Sequence, residues 1–262
     1  MITTLLIALA PAITEAAPFT LVLTPLDPMI VAVAQDEEAI VVTEWTGSVA
    51  LSAVTTTGNT DQTAFSADAD AELRRDVDRY TAKAYFNYAT DSGSGSSALI
   101  DRKMGASLKY DYFLTEDEKT YVYGNTGVAY DASANLDLRL LVGAGMGYQF
   151  YETDDFKLAG EGGLSYVSEE YTTSKAEYLA LRLAANVFKK LGEKTTLTSA
   201  AEAYPNVDDT SDVYGKVDTK INTSLTESMF ASFQWVLDFD NTPAAGSDRT
   251  DNRFVLALGW SF

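Results

Sequence analysis

The sequence predicts an all-β protein: a transmembrane antiparallel up-and-down β-barrel of about twelve strands, preceded by a signal peptide. Three observations lead there. From Trp45 onward, apolar and polar residues alternate at every second position, the period that puts neighbouring side chains on opposite faces of a strand. The alternating runs are about ten to fifteen residues long, above the usual five or six of globular sheets and near what a tilted membrane strand needs. In several runs the apolar face carries aromatics at its ends and aliphatics or alanine between them, as in Tyr80 to Tyr88 and Phe254 to Phe262. That arrangement suits a lipid band between two aromatic girdles.

Ahead of the strands, residues 1–34 read as an export signal. They hold no Lys or Arg, begin with the apolar run Leu5 to Ala12, and end in Val31, Ala32, Val33 and Ala34. Ala32 and Ala34 satisfy the small-x-small rule and put cleavage after Ala34. The segment departs from the usual pattern by lacking a positive charge and by carrying Pro11, Pro18, Pro25 and Pro28. Residues 35–44, with Asp36, Glu37 and Glu38, form an acidic lead-in, and residues 45–262 form the barrel. The chain has no run of about eighteen uninterrupted apolar residues, which argues against a helical anchor.

Turn signals divide the remainder into strands over 45–56, 61–75, 79–91, 100–113, 119–130, 136–151, 156–168, 176–190, 195–207, 212–225, 229–240 and 250–262. The count is even, as closure with both ends on one side demands. Turns on the side of the ends, at Asp76 to Asp78, Leu114 to Glu118, Glu152 to Asp155, Leu191 to Lys194 and Thr226 to Ser228, are short. The opposite connections, among them Asp91 to Ala98, Glu169 to Lys175, Asp208 to Ser211 and Asn241 to Arg249, average longer. Short periplasmic turns with longer outer loops are the pattern of membrane barrels.

The clearest alternation runs from 136 to 151. Leu136, Leu138, Leu140, Val142, Ala144, Met146, Tyr148 and Phe150 form one face, against Asp137, Arg139, Gly143, Gly145, Gly147 and Gln149 on the other. The polar faces supply the candidate lumen charges: Lys83, Lys109, Asp111, Arg139, Glu161, Arg182, Glu202, Lys216, Asp218 and Arg253. Asp68, Asp70, Glu72, Lys103, Lys220 and Asp238 share that periodicity. An Arg or Lys facing lipid at the bilayer midplane costs about 2–4 kcal/mol, so these side chains belong inside. Inward Gly105, Gly143, Gly145, Gly147 and Gly163 are expected to leave space there.

Composition narrows the function. Thirty-eight acidic against nineteen basic residues give a net charge of -19, which repels phosphate and excludes nucleic acid as a partner. Cys and His are both absent, so the chain alone offers no disulfide, thiolate ligand, or Ser-His, Cys-His or Asp-His dyad. No cofactor, metal site or catalytic residue is assigned. Asp68 with Asp70, or Asp208 with Asp209, form carboxylate pairs in principle suited to acid–base work, and Asp208, Asp209 and Asp212 an acidic loop, but solvated strands and loops need the same residues. The leading expectation is a structural or small-solute or ion pore role without catalysis. The alternatives are an outer-membrane enzyme working without His and a soluble secreted all-β binding protein.

The stretch Trp45 to Phe262 resembles a family of salt-induced outer-membrane proteins built on an uncharacterised barrel domain, domain of unknown function 481. The match rests on Trp45, Thr46, Gly47 and Ser48, followed by Thr57, Gly58, Asn59 and Thr60, which look like that family's W-x-G and T-G-N-T. The Gly58–Asn59 pair also suits a tight hairpin turn. The Tyr-rich hairpin Tyr110 to Tyr130 and the aromatic-ended last strands are similar to the family as well. Trp260 with the terminal Phe262 resembles the signal read by the barrel-assembly machinery. The resemblance implies the cell outer membrane as location, with its lipid and that machinery as partners, and brings no enzymatic activity.

Overall fold

The computed structural model describes residues 45–56, 61–91, 98–243 and 247–262. The expected signal peptide, the acidic lead-in and the turn motif Gly58, Asn59 and Thr60 lie outside the described residues. Twelve strands follow in order: β1 (Trp45–Thr56), β2 (Gln62–Arg74), β3 (Asp78–Asp91), β4 (Ala98–Phe113), β5 (Thr120–Asp131), β6 (Leu136–Glu152), β7 (Phe156–Tyr171), β8 (Ser174–Lys190), β9 (Thr195–Pro205), β10 (Val213–Ser224), β11 (Met229–Asp240) and β12 (Thr250–Ser261). Each pairs antiparallel with its sequence neighbours, and β1 pairs with β12 to close the barrel. Closure gives each strand a neighbour on both sides, the architecture by which a β-structure crosses hydrocarbon, although the β1–β12 ladder is short, Ser48–Leu51 against Leu258–Ser261.

Paired residues share a face, so register assigns every side chain to lipid or lumen. Tyr80 of β3 lies opposite Tyr110 of β4 on the outside, with ring centroids 4.8 Å apart. Outward aliphatics are exposed throughout, including Leu108, Val128, Val142, Met146, Leu164, Leu181, Leu183 and Leu258. Exposed aromatics cluster toward the strand ends. Trp45, Tyr112, Tyr148, Phe150, Trp260 and Phe262 sit at the end that carries both β1's start and β12's finish. Phe65, Tyr88, Tyr166 and Phe254 sit nearer the other. An apolar wall between aromatic rims is the reverse of a soluble protein's surface.

Two details depart from the periodicity. The β6–β7 ladder shifts register between Leu136 and Leu138, and the bulge turns Leu136 into the interior while Leu138 stays outside. A single extra residue reverses the side on which everything before it points. The Glu169–Lys175 connection, expected as a longer outer loop, is a hairpin of Thr172 and Thr173, because β7 and β8 pair as far as Tyr171 opposite Ser174.

Turns at the terminal end are fixed by polar contacts. Arg75 grips Asp78 through two hydrogen bonds of 2.7 and 2.5 Å. Glu118 adopts a left-handed φ of 54° and is anchored twice, by Arg74 through its carboxylate and by Gln149 through its carbonyl.

Candidate functional site in the barrel lumen

The lumen is not uniform around its circumference. Along β4 to β9 the inner wall is packed with aromatic rings and paired charges. Glu202 of β9, Arg182 of β8, Glu161 of β7, Lys109 and Asp111 of β4, and Arg79 of β3 form one chain of alternating sign. Its links are 2.7 Å from Arg182 Nη2 to Glu202, 2.6 Å from Arg182 Nη1 to Glu161, 2.5 Å from Lys109 Nζ to Glu161, 2.6 Å from Lys109 to Asp111 and 2.7 Å from Arg79 to Asp111. Three acids meet three bases, so the chain is neutral. Tyr121 donates its hydroxyl to Glu161 at 2.8 Å, and Tyr204 donates to Glu202 at 2.9 Å, adding a neutral donor to each carboxylate. Desolvated charges persist only when paired and hydrogen-bonded to this extent.

Glycines make the packing possible. Inward Gly143, Gly145, Gly147 and Gly163 were expected to hold the lumen open, and the structure corrects this. A Cβ on Gly147 would fall inside the Tyr121 ring, and one on Gly145 or Gly163 would strike the Tyr123 hydroxyl. Gly105 likewise receives the Tyr85 ring. The notch left by missing side chains is filled from neighbouring strands, because close packing recovers the dispersion energy that a void would forfeit. Phe113, Tyr121 and Tyr123 form one buried cluster. Val167, Ala180 and Tyr204 form another, joined by Leu141, Tyr178 and Tyr214.

The wall made by β1 to β4 differs. Inward Glu72, Lys83 and Ser107 are exposed inside the closed barrel, as is Val54 farther toward the loop end. Lys83 and Ser107 belong to one row across this wall: Ser48 lies opposite Asp70, Asp70 opposite Lys83, and Lys83 opposite Ser107. Side chains from β10 and β11 reach across toward this wall. Lys220 approaches Asp68 at 3.5 Å, Gln234 donates to Asp218 at 2.9 Å and to Asp68 at 3.4 Å, and Lys216 Nζ lies 4.5 Å from the Tyr85 ring centre. Lys220 and Gln234 thereby bridge the lumen to Asp68 of β2, and Lys216 to Tyr85 of β3.

Toward the loop end a cavity of about 270 Å³ opens, lined by Lys103, Arg139, Asp131, Asp240, Asp251 and Arg253 among others. Lys103 sits between Asp131 at 2.9 Å and Asp251 at 2.8 Å. Arg139 binds Glu169 at 2.5 Å and Asp240 at 3.4 Å, with its guanidinium 3.8 Å from the Tyr214 ring centre. Every candidate lumen charge lies on an inward face. Lys109, Asp111, Glu161, Arg182 and Glu202 come together in the neutral chain, Arg139 and Arg253 at the loop-end cavity, and Lys216 and Asp218 on β10 contact Tyr85 and Gln234, with Lys83 on the exposed wall. Trp260 and Phe262 face outward.

The acidic loop goes to turn structure. Asp209 accepts from the Ser211 hydroxyl at 2.6 Å and Ser211 N–H at 3.0 Å, and Asp212 is held by Asn206 and Thr242. Among the described residues, no group of three acidic side chains is arranged to hold a metal ion.

The family described as "Protein of unknown function, DUF481" matches residues 49–262. The chain belongs to that family. Among curated proteins none matches it. This DUF481 barrel is similar in architecture to the NanC porin, at 8% identity over 82% of this chain and 98% of that one, with a TM-score of 0.49. It is similar to an outer membrane channel from Pseudomonas putida F1 at 14% identity, over 88% and 98%, with a TM-score of 0.48. The translocator domain of the autotransporter NalP from Neisseria meningitidis matches at 10% identity, over 83% and 86%, with a TM-score of 0.43. At such identities the likeness concerns architecture alone, and function has to be argued from the DUF481 lumen itself.

Proposed function

We propose that this DUF481 protein is an outer-membrane barrel that passes small hydrated ions through an off-centre, charge-lined lumen, without catalysis. The observation that carries the reading is the uneven inner wall: inward Glu72, Lys83, Ser107 and Val54 of β1–β4 are exposed, with half-buried Ser48, Asp68 and Asp70 between them, while the wall around β5–β8 is packed with rings and ion pairs. Eight strands enclose a filled interior and sixteen enclose an aqueous channel; twelve strands with half the wall filled leave a narrow one. The apolar exterior supports lipid as its surroundings, and residues 1–34 support export through a signal peptide. Trp260 and Phe262 are the residues assigned to recognition by the assembly machinery.

Planar-bilayer recording of the purified protein tests this. Discrete steps, smaller than those of a sixteen-stranded porin, are expected. Replacing Lys220 and Gln234 with Ala removes two groups that bridge the lumen to Asp68 and is expected to enlarge the steps. A membrane-inserted protein that gives no steps in either form overturns the pore. Extraction without detergent, and no mobility shift on heating, overturns the membrane barrel in favour of a soluble β-protein.

A further inference from the structure

The barrel is closed unevenly. β1 is laddered to β2 from Trp45 to Thr56, and β12 to β11 from Thr250 to Trp260. Between β1 and β12, however, the ladder covers only Gly47 to Leu51 against Leu258 to Phe262. Past those residues, toward the loop end, Ser52 to Thr56 and Thr250 to Ala257 run on without pairing to each other. Five residues of strand span about 17 Å, close to the thickness of one leaflet's hydrocarbon.

The lips of this gap are apolar. Val54 points into the lumen, since it lies opposite Ala64 in the register that turns Ser48 and Asp70 inward, yet it is 56% exposed. Across the gap, Leu256 points outward and is 72% exposed, more than any other large apolar side chain described, and Phe254 beside it is 65% exposed. Elsewhere the inner wall is charged or packed. Here an apolar inner residue adjoins the lipid-facing surface with no ladder between.

We propose that the β1–β12 seam is a lateral opening between lumen and bilayer, occupied by a hydrocarbon chain of an amphiphile from the surrounding leaflet. The inference rests on the membrane reading given above. The chain lies along Val54, Phe254 and Leu256, continuous with the lipid already covering the outer wall. The amphiphile's polar end stays in the wet lumen, where water and its own oxygens satisfy the unpaired backbone groups of the two strand edges; in plain hydrocarbon each such group costs several kcal/mol. Arg253, close enough to Asp101 to interact with its charge, lines the adjoining cavity and puts a cation on the lumen side of the seam to face that polar end.

Three single-cysteine variants of the full chain, Val54→Cys, Leu256→Cys and Ser107→Cys, labelled with an environment-sensitive fluorophore and folded into vesicles of chain-brominated phosphatidylcholine, test this. Bromine quenches only on close approach. Leu256→Cys reports the lipid-facing exterior and Ser107→Cys the inner wall away from the seam. The expected result is quenching of Val54→Cys at least half as strong as that of Leu256→Cys and several-fold above that of Ser107→Cys. Val54→Cys quenched no more than Ser107→Cys, with Leu256→Cys strongly quenched, overturns the lateral opening and leaves the membrane barrel standing. Absence of quenching at Leu256→Cys instead overturns the membrane reading itself.

Discussion

Removing the Glu161 carboxylate is the sharpest probe of the packed half of the lumen. Glu161 is 1% exposed and serves Lys109, Arg182 and the Tyr121 hydroxyl together. Breaking a buried pair by deleting one partner costs about 3–5 kcal/mol, because the other charge stays desolvated. Arg182 keeps Glu202 and Lys109 keeps Asp111, which puts the ionic loss in Glu161→Ala at the lower end, about 3 kcal/mol. Tyr121 is fully buried and loses its acceptor, which adds roughly 1 kcal/mol or more. The total expected is about 4 kcal/mol, and Glu161→Gln, which retains an acceptor for Tyr121, is expected to lose about half of it. Reversible urea unfolding in lipid vesicles, followed by fluorescence of Trp45, Trp235 and Trp260, measures both. In the double-mutant cycle with Arg182→Ala the two losses should fall well short of adding. A Glu161→Ala change within about 0.5 kcal/mol of the parent, the size of an unremarkable surface substitution, refutes the buried network.

Other consequences are simpler to read. Leu181→Arg puts a charge on the outward face of β8, and if that face meets lipid the same unfolding assay should register a loss of about 2–4 kcal/mol; no loss would mean the face is wet. Gly147→Ala drives a methyl into the Tyr121 ring and is expected to cost about 1–3 kcal/mol, but little when introduced into a Tyr121→Ala background; a neutral single variant contradicts the notch. In the β9–β10 loop, the Ser211 hydroxyl and backbone N–H hold the Asp209 carboxyl below the usual carboxylate range. Its folded pKa is depressed, so its stabilising effect is complete above the unfolded value of about 3.9 and is lost as pH falls through the folded one. Ser211→Ala should move the Asp209 titration upward in NMR, and an unchanged midpoint would exclude the hydroxyl as a cause.

Strand count, boundaries and the two faces were legible because they follow from local rules. Alternation reports which residues share a face, and Gly, Pro, Asn and Asp punctuate the runs, so the observed strand ends fall within three residues of those read from the turns. Leu136 was misassigned because a bulge leaves no mark in an alternating pattern. The glycines of β6 and β7 were read correctly as inward and wrongly as space. What occupies a notch depends on rings that arrive from another strand, and the pairing of Tyr121 with Gly147 is set by the β5–β6 register. The ion pairs were illegible for the same reason. Lys109 and Glu161 lie on β4 and β7, so their meeting depends on how far two side chains reach over the intervening strands, where Lys109 Nζ passes over the Tyr121 and Tyr123 rings seated in the glycine notches.

The two ends of the barrel sequence illustrate how a motif gains a physical meaning from closure. In the opening Trp45–Thr46–Gly47 the glycine has no turn to make, since it lies within β1 opposite Ala71 of β2. It exchanges backbone hydrogen bonds of 3.0 Å in both directions with Phe262, and a Cβ at Gly47 would come within 2.8 Å of the Phe262 ring. The missing side chain therefore makes room for the terminal aromatic at the one seam whose strands are farthest apart in sequence. That seam is also the shortest ladder, so the contact between Gly47 and Phe262 carries more of its closure than any single pair carries elsewhere. A barrel paired across this seam at one end and left unpaired at the other has its weakest line beside the exposed half of its lumen, and the same asymmetry underlies both the ion path and the lateral opening proposed above.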